Sequence, residues 1–272
     1  MTGPGDTFAG DGAGLVRERT AVRPQAALIL GSGLGPAADG IEADAEISFA
    51  DLPGFPEPSV PGHAGRLVIG HLGGVPVAAF LGRVHLYEGH PMSLVTLPTR
   101  LIAAMGAGVL VVTAAVGGLD PSLGPGTMIV GTDHLNFLGE GVLRGWTDDE
   151  GRPAFVDLSE AYDRILGEAA IRAAQAEGLP VARGVYASMP GPVYETPAEV
   201  AFLRQAGAAV VGMSVVPEVT AGAALGLRCL GLYCVTNVVG KPVSHGEVTE
   251  VAEAFAPRLG GVLTRLLPSI GA

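Results

Sequence analysis

The sequence predicts an α/β fold, a single domain with a central mixed β-sheet flanked by helices. Three observations lead there. Short apolar, β-branched runs alternate with amphipathic stretches of helical period along the chain. Hydrophobic residues make up 48% of the chain and charged residues 16%, which suits strands covered on both faces. One pair of runs, Leu67–His71 and Val75–Phe80, flanks Gly73-Gly74 and reads as a hairpin, so the sheet is mixed rather than all parallel.

The elements follow in order. Residues 1–24 are Gly-rich and read as a tail or loose helix, and residues 25–272 as the domain. Gln25–Leu30 is a short buried strand that runs into Gly31-Ser32-Gly33-Leu34-Gly35. Val77–Leu81 leads into Arg83-Val-His85-Leu-Tyr87-Glu88, read as the strand's end. Alternation then points Arg83, His85 and Tyr87 to one face, an anion site with an aromatic wall. Met92–Met105 is helical, Val109–Thr113 and Thr127–Val130 are strands, and Ser159–Glu177 is a helix with Tyr162, Ile165, Ala169 and Ala173 on one side. Thr196-Pro-Ala-Glu199 opens a helix with an N-cap, a proline at its first position and a capping-box glutamate. Ala209–Met213 and Cys229–Val235 are strands, and Ser244-His-Gly-Glu247 is a second capping box, opening the last helix.

Composition excludes several classes. A formal net charge of −11 argues against nucleic acid or an anionic membrane as partner. An anionic ligand would therefore need a locally positive site. The uncharged stretch Leu101–Leu119 is long enough to raise a membrane span, but its glycines and β-branched run read as helix end, turn and buried strand. No basic start followed by an apolar stretch is seen at the N-terminus, so a cytoplasmic protein is expected. Cys229 and Cys234 lie in an apolar run without a nearby His or third Cys, and read as core residues, not metal ligands.

The polar signals are individually weak. The loop Gly31–Gly35 can offer backbone N–H groups and a hydroxyl to a phosphate. It is not a dinucleotide fingerprint, because Pro36 stands where glycine or alanine is needed, and no Gly-Lys-Ser/Thr follows. Glu195 precedes a helix N-terminus, where a carboxylate is favoured in its ionised form. Thr236-Asn237 ends a strand, commonly a turn position. His245 sits in the first turn of the last helix, where the dipole disfavours positive charge and an imidazole can bond a hydroxyl.

Together, Gly31-Ser32-Gly33-Leu34-Gly35, Val60-Pro-Gly62-His63-Ala-Gly65, Gly82-Arg83-Val-His85-Leu-Tyr87-Glu88-Gly89, Gly117-Gly118-Leu119, Gly191-Pro-Val-Tyr194-Glu195-Thr196, Gly212-Met213-Ser214 and Thr236-Asn237 resemble, in this order, the trimeric purine nucleoside phosphorylases. The resemblance runs from about Gln25 to about Leu267. It implies a nucleoside phosphorylase-like fold and phosphorolysis of a purine nucleoside to free base and ribose 1-phosphate, with inorganic phosphate as co-substrate and no metal or organic cofactor. It implies Ser32, His63, Arg83, His85, Ser214 and the backbone N–H of Ala115 as the phosphate groups. Tyr87, Val211, Gly212, Met213, Thr236 and His245 would line the nucleoside, with Tyr194 against sugar and base. Glu195 and Asn237 would hold the base, and Asn237, Glu195, His85 and His245 would carry the catalysis. Phe155 would reach the neighbouring subunit's site in a homotrimer.

Ionised Glu195 accepts from N1–H of a 6-oxopurine but would face a lone pair in adenine, so inosine and guanosine (and deoxy forms) are expected over adenosine. Two departures stand out. The family reads Asn-Ala-Ala-Gly-Gly where this chain has Ala114-Ala115-Val116-Gly117-Gly118, and the segment from Asn237 to His245 is short. Two other readings remain: a methylthioadenosine phosphorylase, which would lack the Glu/Asn pair, and a non-catalytic nucleoside- or phosphate-binding relative, which need not keep Asn237 and His245.

Overall fold

Ala26–Leu30 (β1) is apolar at every position and is buried along its whole length between two parallel neighbours, Val75–Leu81 (β4) and Val109–Gly118 (β5). A strand with both faces covered has no polar face to show, which is why it reads as a continuous run. The computed structural model describes residues 1–240 and 244–270.

The other strands are Glu42–Ser48 (β2), Arg66–Leu72 (β3), Met128–Asn136 (β6), Val181–Ser188 (β7), Ala208–Gly212 (β8) and Arg228–Val238 (β9). The nine-stranded sheet has the order β2-β3-β4-β1-β5-β8-β7-β6-β9, and β9 also pairs with β5. The last five strands therefore close on themselves, while β2, β3, β4 and β1 form an open wing. The expected hairpin is present as the antiparallel β3–β4 pair, and β5 is parallel to β1 and β9 but antiparallel to β8.

Among the described residues seven helices cover the sheet: Asp6–Arg19 (α1), Met92–Val95 (α2), Leu97–Met105 (α3), Arg164–Ala176 (α4), Pro197–Gln205 (α5), Val216–Ala224 (α6) and His245–Leu266 (α7). Alternation along β1 divides the core. Ala27 and Ile29 join the cluster beneath α1, α3 and α6, and Ala26, Leu28 and Leu30 the cluster beneath α4 and α7. Of residues 1–24, read as a tail or loose helix, Asp6–Arg19 form α1, which buries Ala9, Gly12, Ala13 and Val16.

Three expectations need correction. The strand before Arg83 ends at Leu81; Gly82 takes φ 119°, and Tyr87 lies in a 3₁₀ turn, Leu86–Glu88. A side chain at Gly82 would strike His63, so the backbone must bend away there. Met92–Met105 is two helices meeting at Thr96, before Pro98. The helix expected over Ser159–Glu177 starts only after its N-cap, Asp163. Its buried side is Leu166, Ala170, Ala173 and Ala174, leaving Tyr162 outside the helix and Ile165 exposed. The asparagine-like cap chemistry of Asp163 outweighs the apolar spacing that begins at Tyr162.

Leu101–Leu119 is, as expected, helix end, left-handed Gly106 and buried strand, and among the described residues no helix is long and apolar enough to cross a membrane. Cys229 and Cys234 are buried and free.

Candidate active site

A cavity of about 360 Å³ opens where the carboxyl ends of β1, β5 and β9 meet the residues that follow β4 and β8. One end is an anion-binding corner. The Arg83 guanidinium is buried there and tied to four elements. Nη1 donates to Thr113 O (2.8 Å) on β5 and to Ser214 Oγ (3.3 Å) after β8, and Nη2 to Ile29 O (3.2 Å) on β1. Nε lies 2.8 Å from Glu218 Oε1 on α6, a close ion pair rather than an aligned hydrogen bond.

Ser214 is itself held on both sides. Its backbone N–H donates to Tyr186 Oη (3.1 Å), and its carbonyl accepts from Ser188 Oγ (3.1 Å). The next residue, Val215, has φ 70° and ψ −54°, and Val216 N–H returns to Ser214 O (2.8 Å). This is a γ-turn in a β-branched residue, a strained geometry that aims the Ser214 hydroxyl and starts α6 at once.

The loop Gly31–Gly35 contributes less backbone than expected. Gly31 N–H donates to Thr113 Oγ1, Gly33 N–H to Gly62 O and Leu34 N–H to Gly31 O, so its donors are largely used within the fold. What it offers the cavity is the Ser32 hydroxyl. Ser32 Oγ lies 3.1 Å from His63 Nε2. His63 does not line the cavity but stands behind Ser32, on a separate hollow.

His85 faces the cavity with its Nδ1 on Glu88 Oε1 (3.0 Å); Glu88 also accepts the His85 backbone N–H (2.7 Å). A carboxylate only accepts, so Nδ1 carries the proton and Nε2 is left for a ligand. The Tyr87 ring stacks on His85 (4.7 Å between centroids, 12° between planes), so the two share a wall although the strand does not reach them.

Burial, then the neighbouring His85 and Arg83, push the His63 pKa down to about 3. Burial lowers His85 too, opposed by its bond to Glu88. Burial would raise Glu88, but hydrogen bonds from His85 and Ser59 outweigh it and hold it at about 2. With both imidazoles neutral and Arg83 paired to Glu218, the corner has no net positive side-chain charge. An anion here is met by the paired guanidinium, by hydroxyl groups and by backbone N–H dipoles, and His85 Nε2 is left to accept from a protonated phosphate oxygen.

The other end of the cavity carries Glu195 and Asn237 with Val211, Gly212 and Met213 between. Gly212 is required because a Cβ there would collide with the Tyr186 hydroxyl. The Thr236 hydroxyl lies between Val116 O (3.2 Å) and Asn237 Oδ1 (3.1 Å), which orients the amide. The capping box at α5 uses Glu199, whose carboxylate takes the Thr196 N–H (2.7 Å), not Glu195. Glu195 is instead left facing the cavity, and burial raises its pKa, opposite to the helix-end expectation. Tyr194 and His245, the first residue of α7, complete the rim. Part of the short segment from Asn237 to His245, residues 241–243, lies outside the described residues. Ala114 and Ala115 both line the cavity.

The fold thus gathers the expected residues except His63, one layer back, and Phe155, which is 92% exposed and away from the cavity of its own chain. Sequence reasoning missed Glu218 and Tyr186. A lone glutamate inside Val215-Val-Pro-Glu-Val-Thr was the available signal for the first; Tyr186 lies on a strand that carries no clear alternation. Among the described residues no group of three or more His, Cys, Asp or Glu could hold a metal.

Comparison with known proteins fits this geometry. A family model described as "Phosphorylase superfamily" matches residues 25–268. Purine nucleoside phosphorylase 1 of Bacillus subtilis (strain 168) is 44% identical over 245 residues, covering 89% of this chain and 90% of its own. The Rattus norvegicus purine nucleoside phosphorylase is 39% identical over 266 residues, covering 94% and 92%. The crystal structure of a Schistosoma purine nucleoside phosphorylase in complex with hypoxanthine superposes with a TM-score of 0.89 at 32% identity, covering 97% of each chain.

Proposed function

The chain belongs to the phosphorylase superfamily, among the purine nucleoside phosphorylases, and from that premise we propose that it cleaves 6-oxopurine ribo- and deoxyribonucleosides with inorganic phosphate. The observation that supports this most is that one cavity joins the Arg83–Ser214–His85 corner to Glu195 and Asn237.

In the proposed reaction, phosphate lies against Ser32, Arg83, His85, Ser214 and the Ala115 N–H, with His63 steadying Ser32. A phosphate oxygen attacks C1′ as the C1′–N9 bond breaks, and the bonding electrons pass to the purine. Positive charge develops on the sugar and is met by the phosphate on its open face, the oxocarbenium logic of glycoside cleavage. N7 takes a proton from solvent; Asn237 Oδ1 accepts from N7–H while Nδ2 donates to O6, stabilising the leaving base. Ionised Glu195 accepts from N1–H. Tyr87, Val211, Gly212, Met213 and Thr236 shape the sugar and base pocket, Tyr194 covers it, and His245 takes the 5′-hydroxyl. The products are the free base and (deoxy)ribose 1-phosphate, and the scheme uses no metal or organic cofactor.

Residues 25–272 form the catalytic domain in this reading and 1–24 an appended helix. The assembly is a homotrimer in a cytoplasmic setting. Exposed Phe155, Val193 and Phe202 support this, since large apolar side chains in water mark contact surfaces; Phe155 would enter a neighbouring subunit's cavity.

The test is purine release from inosine, guanosine, adenosine and methylthioadenosine with and without phosphate. Phosphate-dependent release from the first two is expected. Preference for methylthioadenosine, or binding with no release, would favour the other two readings.

A further inference from the structure

Glu218 is a buried charge near the site that the reaction above does not use. Both it and Arg83 have side chains only 2% exposed. One carboxylate oxygen faces Arg83 Nε; the other, Oε2, has no hydrogen-bond partner among the described residues. A buried ion pair with an unpartnered oxygen is weak support for stability, since both charges are taken out of water. Thr113 O, Ile29 O and Ser214 Oγ hold the Nη atoms of Arg83, and Glu218 faces its Nε. Glu218 therefore bears on both the tilt of the guanidinium and its charge.

The groups that face this pair all point the same way. Tyr186 and Tyr233 carry pKa values raised by burial, and His85 and His63 have theirs lowered by it, so none supplies a cation; Glu88 adds a carboxylate beside His85. Without Glu218 the Arg83 charge would act on the anion undiminished in a poorly solvated corner, where Coulomb interactions are strong. The same groups hold phosphate as reactant and the phosphate of the sugar product. Tightening both equally lowers KM without raising turnover.

Resting on the phosphorolysis reading, we propose that Glu218, which touches no substrate, is a positioning residue that presents the Nη edge of Arg83 to the phosphate and offsets its charge, keeping the anion site weak enough to release ribose 1-phosphate.

The experiment measures phosphate binding by calorimetry, and phosphate KM and kcat with inosine, in the full-length protein and in Glu218→Gln and Glu218→Asp. Gln keeps the shape and an acceptor but not the charge, and should bind phosphate roughly tenfold more tightly, with kcat reduced, the scale of one unit charge acting through several ångströms of protein. Asp keeps the charge on a shorter arm. It should bind phosphate within about twofold of the parent and lose turnover at saturating phosphate, on the same scale of argument. Unchanged or weaker binding in Glu218→Gln overturns the proposal; should that variant not fold, tighter binding in Glu218→Asp overturns it. Failure of the parent to release hypoxanthine from inosine with phosphate would instead remove the reading on which the proposal rests.

Discussion

Ser32 Oγ and His63 Nε2 stand 3.1 Å apart, joining the loop after β1 to the loop before β3 behind the anion corner. The contact fixes the Ser32 hydroxyl with a neutral imidazole, because burial pushes the His63 pKa down to about 3. Below the ordinary value of 6.5 the unfolded chain takes up a proton that the folded chain refuses. This contribution to stability is therefore whole above pH 6.5 and is lost as pH falls from there toward 3. Thermal unfolding in phosphate-free buffer should show a Tm that declines through this window, and less steeply in His63→Gln. An identical pH slope in the two proteins would refute the assignment.

Burial raises the Glu195 pKa above its ordinary value. Only its ionised form accepts from N1–H, so inosine turnover should fall on acidification at a pH above the usual carboxylate range, and Glu195→Gln should remove that limb. Glu195→Ala should lower kcat/KM for inosine by about 10² or more, the scale of losing a matched polar contact to the base. Unchanged inosine turnover in the alanine variant would exclude the role.

Asn237 offers both an acceptor and a donor, which matches protonated N7 and O6. Asn237→Asp removes the donor to O6 and should shift the inosine-to-adenosine ratio of kcat/KM toward the 6-aminopurine, by about tenfold or more on the energy scale of one charged hydrogen bond. The two rates measured on one preparation decide it, and an unaltered ratio counts against Asn237 reading position 6.

Tyr186 does not itself line the cavity but accepts the Ser214 N–H. Tyr186→Phe leaves that amide without its acceptor and frees the γ-turn at Val215. Phosphate KM should rise several-fold, corresponding to about 1 kcal/mol, with nucleoside KM unchanged. Equal changes in both constants would mean that Tyr186 acts on the fold, not on Ser214.

Much of this site was legible in the sequence because its groups sit at strand ends, where an apolar run stops and a polar residue follows. Ser32, Ser214 and Asn237 are all of this kind. Capping boxes located α5 and α7 for a similar reason: the cap side chains satisfy local backbone donors, so the signal is local too. The rest depended on tertiary partners. β2 buries only Ile47 and has no apolar run, and α6 is buried on all sides, so it shows no amphipathic period. The pairing of Arg83 with Glu218 joins residues 135 positions apart, and no local rule carries it. The stack of His85 on Tyr87 is local, but alternation along a strand suggested it for the wrong reason: a 3₁₀ turn produces it.

A crystal structure of this protein with hypoxanthine and phosphate bound together tests the central claim most directly. The account requires the purine edge against Glu195 and Asn237, the phosphate against Ser32, Arg83, His85 and Ser214, and a gap between them that one pentose fills. A base or an anion bound outside this cavity, or the two too far apart for a single sugar to bridge, would contradict it.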